Sequence, residues 1–325
     1  MNVGVERSSN NVNKLKSITA VIGLASTALF LCSEQIDTSN NRSVIVTAPR
    51  TITYADTLTV VPIHDMTSLE NDWNSALANH VGEVDIAVYD FDSQQTAHTH
   101  YPKQSDGETF DTASIVKLSV LEKLLRQSET NNQPIDAYEK TLAENMIENS
   151  DNNATAVLWS ETGDAPAMNN YWQQELGMRS TTAGSGGFWG NSQTTALDQL
   201  KVVNAIAHAG TPQSPLSKES GTVANELLQN VEPDQHWGVS GGVPTDIHVR
   251  LKNGWFPDAF TKNRFSDTSS WTINSIGYVP GEYAVAILTR GNPTMEEGIK
   301  TTESLSTITW SHLHDAPLAP NSSKP

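Results

Sequence analysis

Trp271–Val279 (WTINSIGYV) and Tyr283–Thr289 (YAVAILT) are the two runs that decide the fold. Both have strand length and are rich in β-branched and aromatic residues. Upstream, Ile247–Leu251 (IHVRL) gives a third strand signal, and a long helical pattern, Met295–His312, follows the pair. The front of the chain echoes this. Thr67–His80 reads as a helix, Asp85–Asp90 as a strand and Thr96–Tyr101 as its hairpin partner. Between the two groups the pattern is helical. Ile115–Gln127 repeats apolar residues at Val116, Leu118, Val120, Leu121, Leu124 and Leu125. Tyr138–Glu148, Asn153–Glu161, Met168–Gln174, Thr195–Ala209 and Ser220–Gln229 follow. This order predicts an α+β fold: one antiparallel five-stranded sheet, the N- and C-terminal helices on one face, and an inserted all-helical subdomain.

The ends read differently. Lys14 and Lys16 precede Ile18–Leu31, an uncharged run of about 14 residues that resembles a secretory signal core and is short for a membrane span. Residues 1–32 are therefore expected to be a signal peptide or membrane anchor, which makes the protein exported, either secreted or attached to the cell envelope. Small residues at Ser26-Thr27-Ala28 offer a cleavage point, and Cys32 offers a lipidation point, although Leu31 is bulky for one. Cleavage, lipidation and retention all stay open. Residues 33–65 are a polar linker, 66–315 the folded domain, and 316–325 a Pro- and Ser-rich tail.

Composition excludes several classes. The net charge of −17 repels phosphate backbones, and no basic stripe offsets it, so nucleic acid is not an expected partner. The single cysteine rules out an intrachain disulfide and a thiolate metal site. His98-x-His100 and His312-x-His314 could begin a metal site, but no third ligand is evident, and they read as exposed histidines. No cofactor is called for, and membrane contact is expected only through the N-terminal segment. The chain is expected to be a monomer.

Three short motifs carry chemistry. Thr112-Ala113-Ser114-Ile115-Val116-Lys117 places Ser114 and Lys117 at i and i+3, on one face at the start of an apolar helix. A serine hydroxyl needs a base, and a lysine serves if burial lowers its pKa. The helix N-terminus turns backbone N–H groups toward a developing oxyanion. A lysine in an otherwise apolar first turn is costly to bury without a task. Ser150-Asp151-Asn152 lies between two helical stretches and also reads as a helix cap. Lys252-Asn253-Gly254-Trp255 ends the strand from Ile247, where Gly254 also reads as a turn glycine.

Ser-x-x-Lys, Ser-Asp-Asn and Lys-x-Gly in this order resemble the motif set of class A β-lactamases and penicillin-binding proteins. The similarity covers most of residues 66 to 314, and Tyr283–Gly291 is similar to the family's last strand. The resemblance implies catalytic roles for Ser114, Lys117, Ser150 and Lys252, as follows. Ser114 is the acylated nucleophile and Lys117 its general base or proton relay. Ser150 passes the proton to the leaving nitrogen, and Lys252 holds a carboxylate and tunes Ser150. Asn152 binds the substrate amide, with Asn253, Gly254 and Trp255 completing the substrate site. The backbone N–H groups of Ser114 and Trp255 form the oxyanion hole. The implied activity is that of a serine hydrolase acting through an acyl-serine on a β-lactam or related cell-wall amide. The alternatives are a D-alanyl-D-alanine carboxypeptidase-like enzyme and a non-catalytic penicillin-binding surface protein.

The departures matter equally. Class A β-lactamases carry a glutamate between the second and third motifs that activates the deacylating water. The matching stretch, Arg179–Ser192, has no acid, so slow deacylation is expected. Asn253 stands where the family has Thr or Ser, which alters carboxylate recognition. The Ser114–Ser150 gap is shorter than the family's, so part of the helical subdomain and one wall of the cleft are expected to be missing. Trp237, Trp255 and Trp271 are candidates to line the cleft or to pack the core.

Overall fold

A computed structural model describes residues 64–103, 108–257 and 270–314. The expected leader, nearly all of the linker and the tail lie outside these residues. The described chain runs α1 (Met66–Leu77), β1 (Glu83–Asp90), β2 (Thr96–Tyr101), β3 (Phe110–Asp111), α2 (Val116–Asn131), α3 (Ala137–Glu148), α4 (Asn152–Glu161) and α5 (Asp164–Asn170). It continues through β4 (Gln193–Thr194), α6 (Ala196–Ala207), α7 (Lys218–Gln229), β5 (Arg250–Pro257), β6 (Trp271–Val279), β7 (Tyr283–Asn292) and α8 (Met295–Leu313). No helix among the described residues is long and apolar enough to cross a membrane.

The main sheet has the order β2-β1-β7-β6-β5, and every neighbouring pair is antiparallel. This is the predicted five-stranded sheet. Its centre is buried on both faces, so Ala284–Leu288 reads as a continuous apolar run rather than an alternating one. α1 and α8 cover one face together, joined by Trp73 Nε1 donating to Thr309 Oγ1 at 3.1 Å. α6 packs Val202, Val203 and Ile206 on the other face, against β1 and β7. Asp85 of β1 fixes α6 by accepting a bond from the Ala196 N–H at 2.7 Å.

Two expected elements differ. The strand expected at Ile247–Leu251 is β5, which begins at Arg250 and runs to Pro257. The Ile247 N–H bonds the Pro244 carbonyl, so the chain is still turning there. Pairing with β6 then carries the strand past Gly254 to the Pro257–Trp271 pair. Gly254 therefore sits in mid-strand and is no turn glycine. The helix expected at Met168–Gln174 begins earlier, at Asp164, and its last turn widens over Tyr171–Glu175, where the Leu176 N–H reaches back to the Tyr171 carbonyl. Between α2 and Ser150 there is one short connection and one helix, α3, whose start Asp136 and Glu139 close as a reciprocal capping box.

Candidate active site

The three motifs meet where the start of α2 abuts β5. A tight turn, Ala113–Ile115, carries Ser114 into α2. Backbone bonds on both sides hold this turn. The Thr112 N–H donates to the Ser192 carbonyl at 2.8 Å, and Thr112 Oγ1 donates to the Gly190 carbonyl at 3.3 Å. From β6, Asn274 Nδ2 donates to the carbonyls of Asp111 (2.8 Å) and Thr112 (3.1 Å), while its Oδ1 accepts from the Thr289 N–H at 3.1 Å. Gly254 presses closest. A Cβ there would lie 2.6 Å from the Ser114 nitrogen and 2.7 Å from that of Ile115. Only glycine allows this approach.

Ser150 Oγ lies between two buried ammonium groups. Lys117 Nζ and Lys252 Nζ each donate to it at 3.0 Å. A hydroxyl oxygen has two lone pairs. When both lysines are protonated they fill both, and the Ser150 proton is then free for a third partner. Lys117 also donates to the Ser150 carbonyl (2.6 Å) and to Asn152 Oδ1 (2.9 Å), and Lys252 to the Asn253 carbonyl (2.9 Å). The Lys117 ammonium is thus engaged with the Ser150 loop rather than with the Ser114 hydroxyl. Contacts to a nucleophile often tighten only when substrate binds. Asp151 caps α4, its Oδ1 accepting from the Ala154 N–H at 2.6 Å. The Ser-Asp-Asn stretch is thus a helix cap and a lysine-binding turn at once.

Both lysines have no solvent exposure. Burial lowers Lys117 to about 7, against a smaller opposing pull from the Asp151 charge. Burial holds Lys252 well below the usual lysine range, and the Lys117 charge pushes it further down. A buried lysine near neutrality can accept a proton at ordinary pH. Two non-glycine residues here, Ala113 (φ 48°) and Ser150 (φ 55°), occupy the left-handed region. Such backbone strain concentrates at functional sites.

Of the expected substrate-site residues, Asn152 and Gly254 border this cluster. Asn253 is buried on the other side of β5, where its Nδ2 donates to the carbonyls of Gln235 (2.7 Å) and Trp237 (3.2 Å). Trp237 is buried, and Trp255 meets it edge-on with ring centres 5.8 Å apart. Sequence reasoning missed Trp189, whose ring lies 5.0 Å from Lys117 Nζ. It also missed Asn274, whose only signal was a polar residue inside a strand.

Three of the four paired histidines are less exposed than expected, while His314 is exposed as expected. His98 and His100 are half-buried against Asp85, at 2.7 and 3.8 Å, and His312 is half-buried near Asp72. Burial pushes Asp85 up, but hydrogen bonds from His100, His98 and the Ala196 N–H outweigh it and hold the carboxyl at about 2. Glu83, His100 and Glu108 lie close enough together to share an ion, but Arg290 already bonds both carboxylates. The positive charge there is supplied by the protein.

A five-stranded sheet with a helical insert, its edge strand pressed on a Ser-x-x-Lys helix, defines the architecture of class A β-lactamase-like proteins. The chain belongs to the beta-lactamase enzyme family, whose sequence profile matches residues 135–313. It is accordingly a β-lactamase-like hydrolase. Among solved structures it is similar to a class A β-lactamase from Bacteroides cellulosilyticus DSM 14838, at 17% identity, 78% coverage of this chain and 99% of that one, with a TM-score of 0.63. The extended-spectrum β-lactamase TLA-3 shows 14% identity, 77% and 100% coverage, and a TM-score of 0.64. PBP-A shows 15% identity, 77% and 98% coverage, and a TM-score of 0.60. No curated protein matches the chain.

Proposed function

We propose that the protein is an exported serine hydrolase that cleaves a β-lactam or related cell-wall amide through an acyl-serine. Ser114 attacks the carbonyl, and its proton passes to Lys117. The N–H groups of Ser114 and Trp255 receive the oxyanion. Ser150 delivers a proton to the leaving nitrogen, with Lys252 tuning it, and Asn152 orients the substrate amide. The observation that carries this reading is Ser150 Oγ held at 3.0 Å from both lysines, with its own proton left to donate. Residues 179–192 offer no carboxylate to activate water, so the acyl-serine is expected to be long-lived.

The test is intact-protein mass spectrometry after incubation with benzylpenicillin. A stable adduct on Ser114, absent in Ser114→Ala, is expected. Hydrolysed product without an adduct would place a deacylating base elsewhere. An adduct of equal yield in Ser114→Ala would remove Ser114 as the nucleophile. Neither adduct nor product would favour the reading of a surface protein without catalysis.

A further inference from the structure

The stretch from Thr182 to Gln193 closes on itself. Across its base Thr182 and Gln193 pair, each N–H donating to the other's carbonyl at 2.9 and 2.8 Å. Inside it, buried Ser192 ties the two arms together. Its Oγ accepts from the Gly184 N–H at 2.9 Å and donates to the Trp189 carbonyl at 2.7 Å. Gly184 passes so close to the opposite arm that a Cβ there would collide with the Phe188 carbonyl. The closed loop then docks on the nucleophile's turn. The Thr112 N–H donates to the Ser192 carbonyl, Thr112 Oγ1 donates to the Gly190 carbonyl, and the short turn Trp189–Asn191 packs on Ala113–Ile115.

This docking sets one ring on one ammonium. The Trp189 ring centre lies 5.0 Å from Lys117 Nζ. The three N–H groups of that ammonium are taken by the Ser150 carbonyl (2.6 Å), Ser150 Oγ (3.0 Å) and Asn152 Oδ1 (2.9 Å), so none is left for water. Lys117 has no solvent exposure, whereas half-buried Trp189 keeps part of its surface toward solvent. Two packing elements bring charge to Lys117. Asp151 in the Ser150 loop favours the ammonium, and Lys252 on β5 opposes it. The Trp189–Asn191 turn brings no charge. An indole face attracts a cation. It also takes the place of water, and an ammonium loses more hydration under such a cover than the ring returns.

Building on Lys117 as the base in acylation, we propose that Trp189 is a positioning residue for that step: its indole keeps water off Lys117 Nζ and so favours the neutral amine that takes the Ser114 proton. The acid-free loop then does more than lack a carboxylate. It supplies the cover under which a lysine can stand unprotonated.

The test follows acylation of Ser114 in the full chain by benzylpenicillin, as a second-order rate constant from intact-protein mass spectrometry between pH 5 and about 9.5. The midpoint of the rise with pH reports the proton affinity of Lys117. Trp189→Ala admits water and is expected to move the midpoint up by about one pH unit or more, which at pH 5 is a loss of about tenfold in rate. Trp189→Phe keeps an apolar ring and is expected to hold the midpoint within about half a unit of wild type. Thermal melts at pH 7 show which variants fold. Should Trp189→Ala not fold, Trp189→Gln puts a polar group in the ring's place and is expected to move the midpoint in the same direction. A midpoint that stays or falls in a folded Trp189→Ala or Trp189→Gln protein that still acylates would overturn the proposal. So would a Trp189→Phe midpoint displaced as far as that of Trp189→Ala. A wild-type rate independent of pH would remove Lys117 as the base, and this proposal with it, while Ser114 stays the nucleophile. No acylation of wild type at any pH would overturn the acyl-serine reading as well.

Discussion

Lys117 is the residue on which the proposed chemistry turns. Its ammonium has three hydrogen bonds and a nearby indole, all of which favour charge, yet burial outweighs them and brings it to about 7. If neutral Lys117 is the base, the acylation rate constant should rise about tenfold per pH unit below pH 7 and level off above it. A profile flat from pH 5 to 9 would assign the base elsewhere. Lys117→Met should slow acylation by about 10²- to 10⁴-fold, the usual contribution of a positioned base. Stopped-flow acylation of wild type and variant checks both statements. The serine–lysine pair could be read from sequence because i and i+3 share a helical face. The third motif could be read only as part of an ordered set. Trp189 could not be read, because its contact with Lys117 arises from tertiary packing of a glycine-rich loop with no periodicity. Glu122 is a second such case. Burial drives its carboxyl well above the usual range, against a hydrogen bond from Tyr171 at 3.3 Å. In the sequence it is one more polar residue in an amphipathic helix.

At the level of elements, the site depends on how closely β5 approaches the turn before α2. Gly254 sets that distance, and Asn274 bonds the same turn from β6. Gly254→Ala would place a methyl 2.6 Å from the Ser114 nitrogen. Overpacking of this kind costs about 1–3 kcal/mol. In a domain of this size that lowers Tm by roughly 2–4 °C per kcal/mol. It should also shift the Ser114 N–H away from the oxyanion and reduce acylation by about 10²-fold. Calorimetry together with the acylation rate tests this. A variant with wild-type acylation would mean that the strand can retreat without disturbing the oxyanion position. The sheet itself was legible, since β2 and β6 fall on the runs read as strands. The boundaries of β5 were not. Polar and glycine residues at Lys252–Gly254 look like a strand end, but Lys252 and Gly254 meet Ser150 and the turn before α2, and Asn253 bonds a second chain segment.

Across the whole molecule, the buried lysines tie stability to the same protons that the proposed chemistry uses. Lys117 moves from an ordinary 10.5 when unfolded to about 7 when folded. Below pH 7 both states carry the proton, and the fold bears the full cost of burying it. Between about 7 and 10.5 the unfolded chain binds the proton and the native state does not, so native stability rises with pH across that window. Lys117→Met removes this contribution and keeps that of Lys252, which burial also holds below the usual lysine range. The variant loses the hydrogen bonds to Ser150 and Asn152 at every pH, so its offset from wild type at one pH is uninformative, while the change in that offset is decisive. Each tenfold difference in proton affinity between the folded and unfolded chain is worth about 1.4 kcal/mol, so wild type should gain on Lys117→Met by a few kcal/mol between pH 6 and 10. General repulsion from the net charge of −17 acts on both proteins and cancels in the comparison. Denaturant unfolding of both proteins at pH 6, 8 and 10 measures it. A constant offset would mean that Lys117 keeps its proton throughout, and it would then be a permanent cation holding the Ser150 loop. A wild type that gains on the variant as pH rises would mean that the fold stores, in one buried ammonium, free energy that is released when Lys117 is in its basic form.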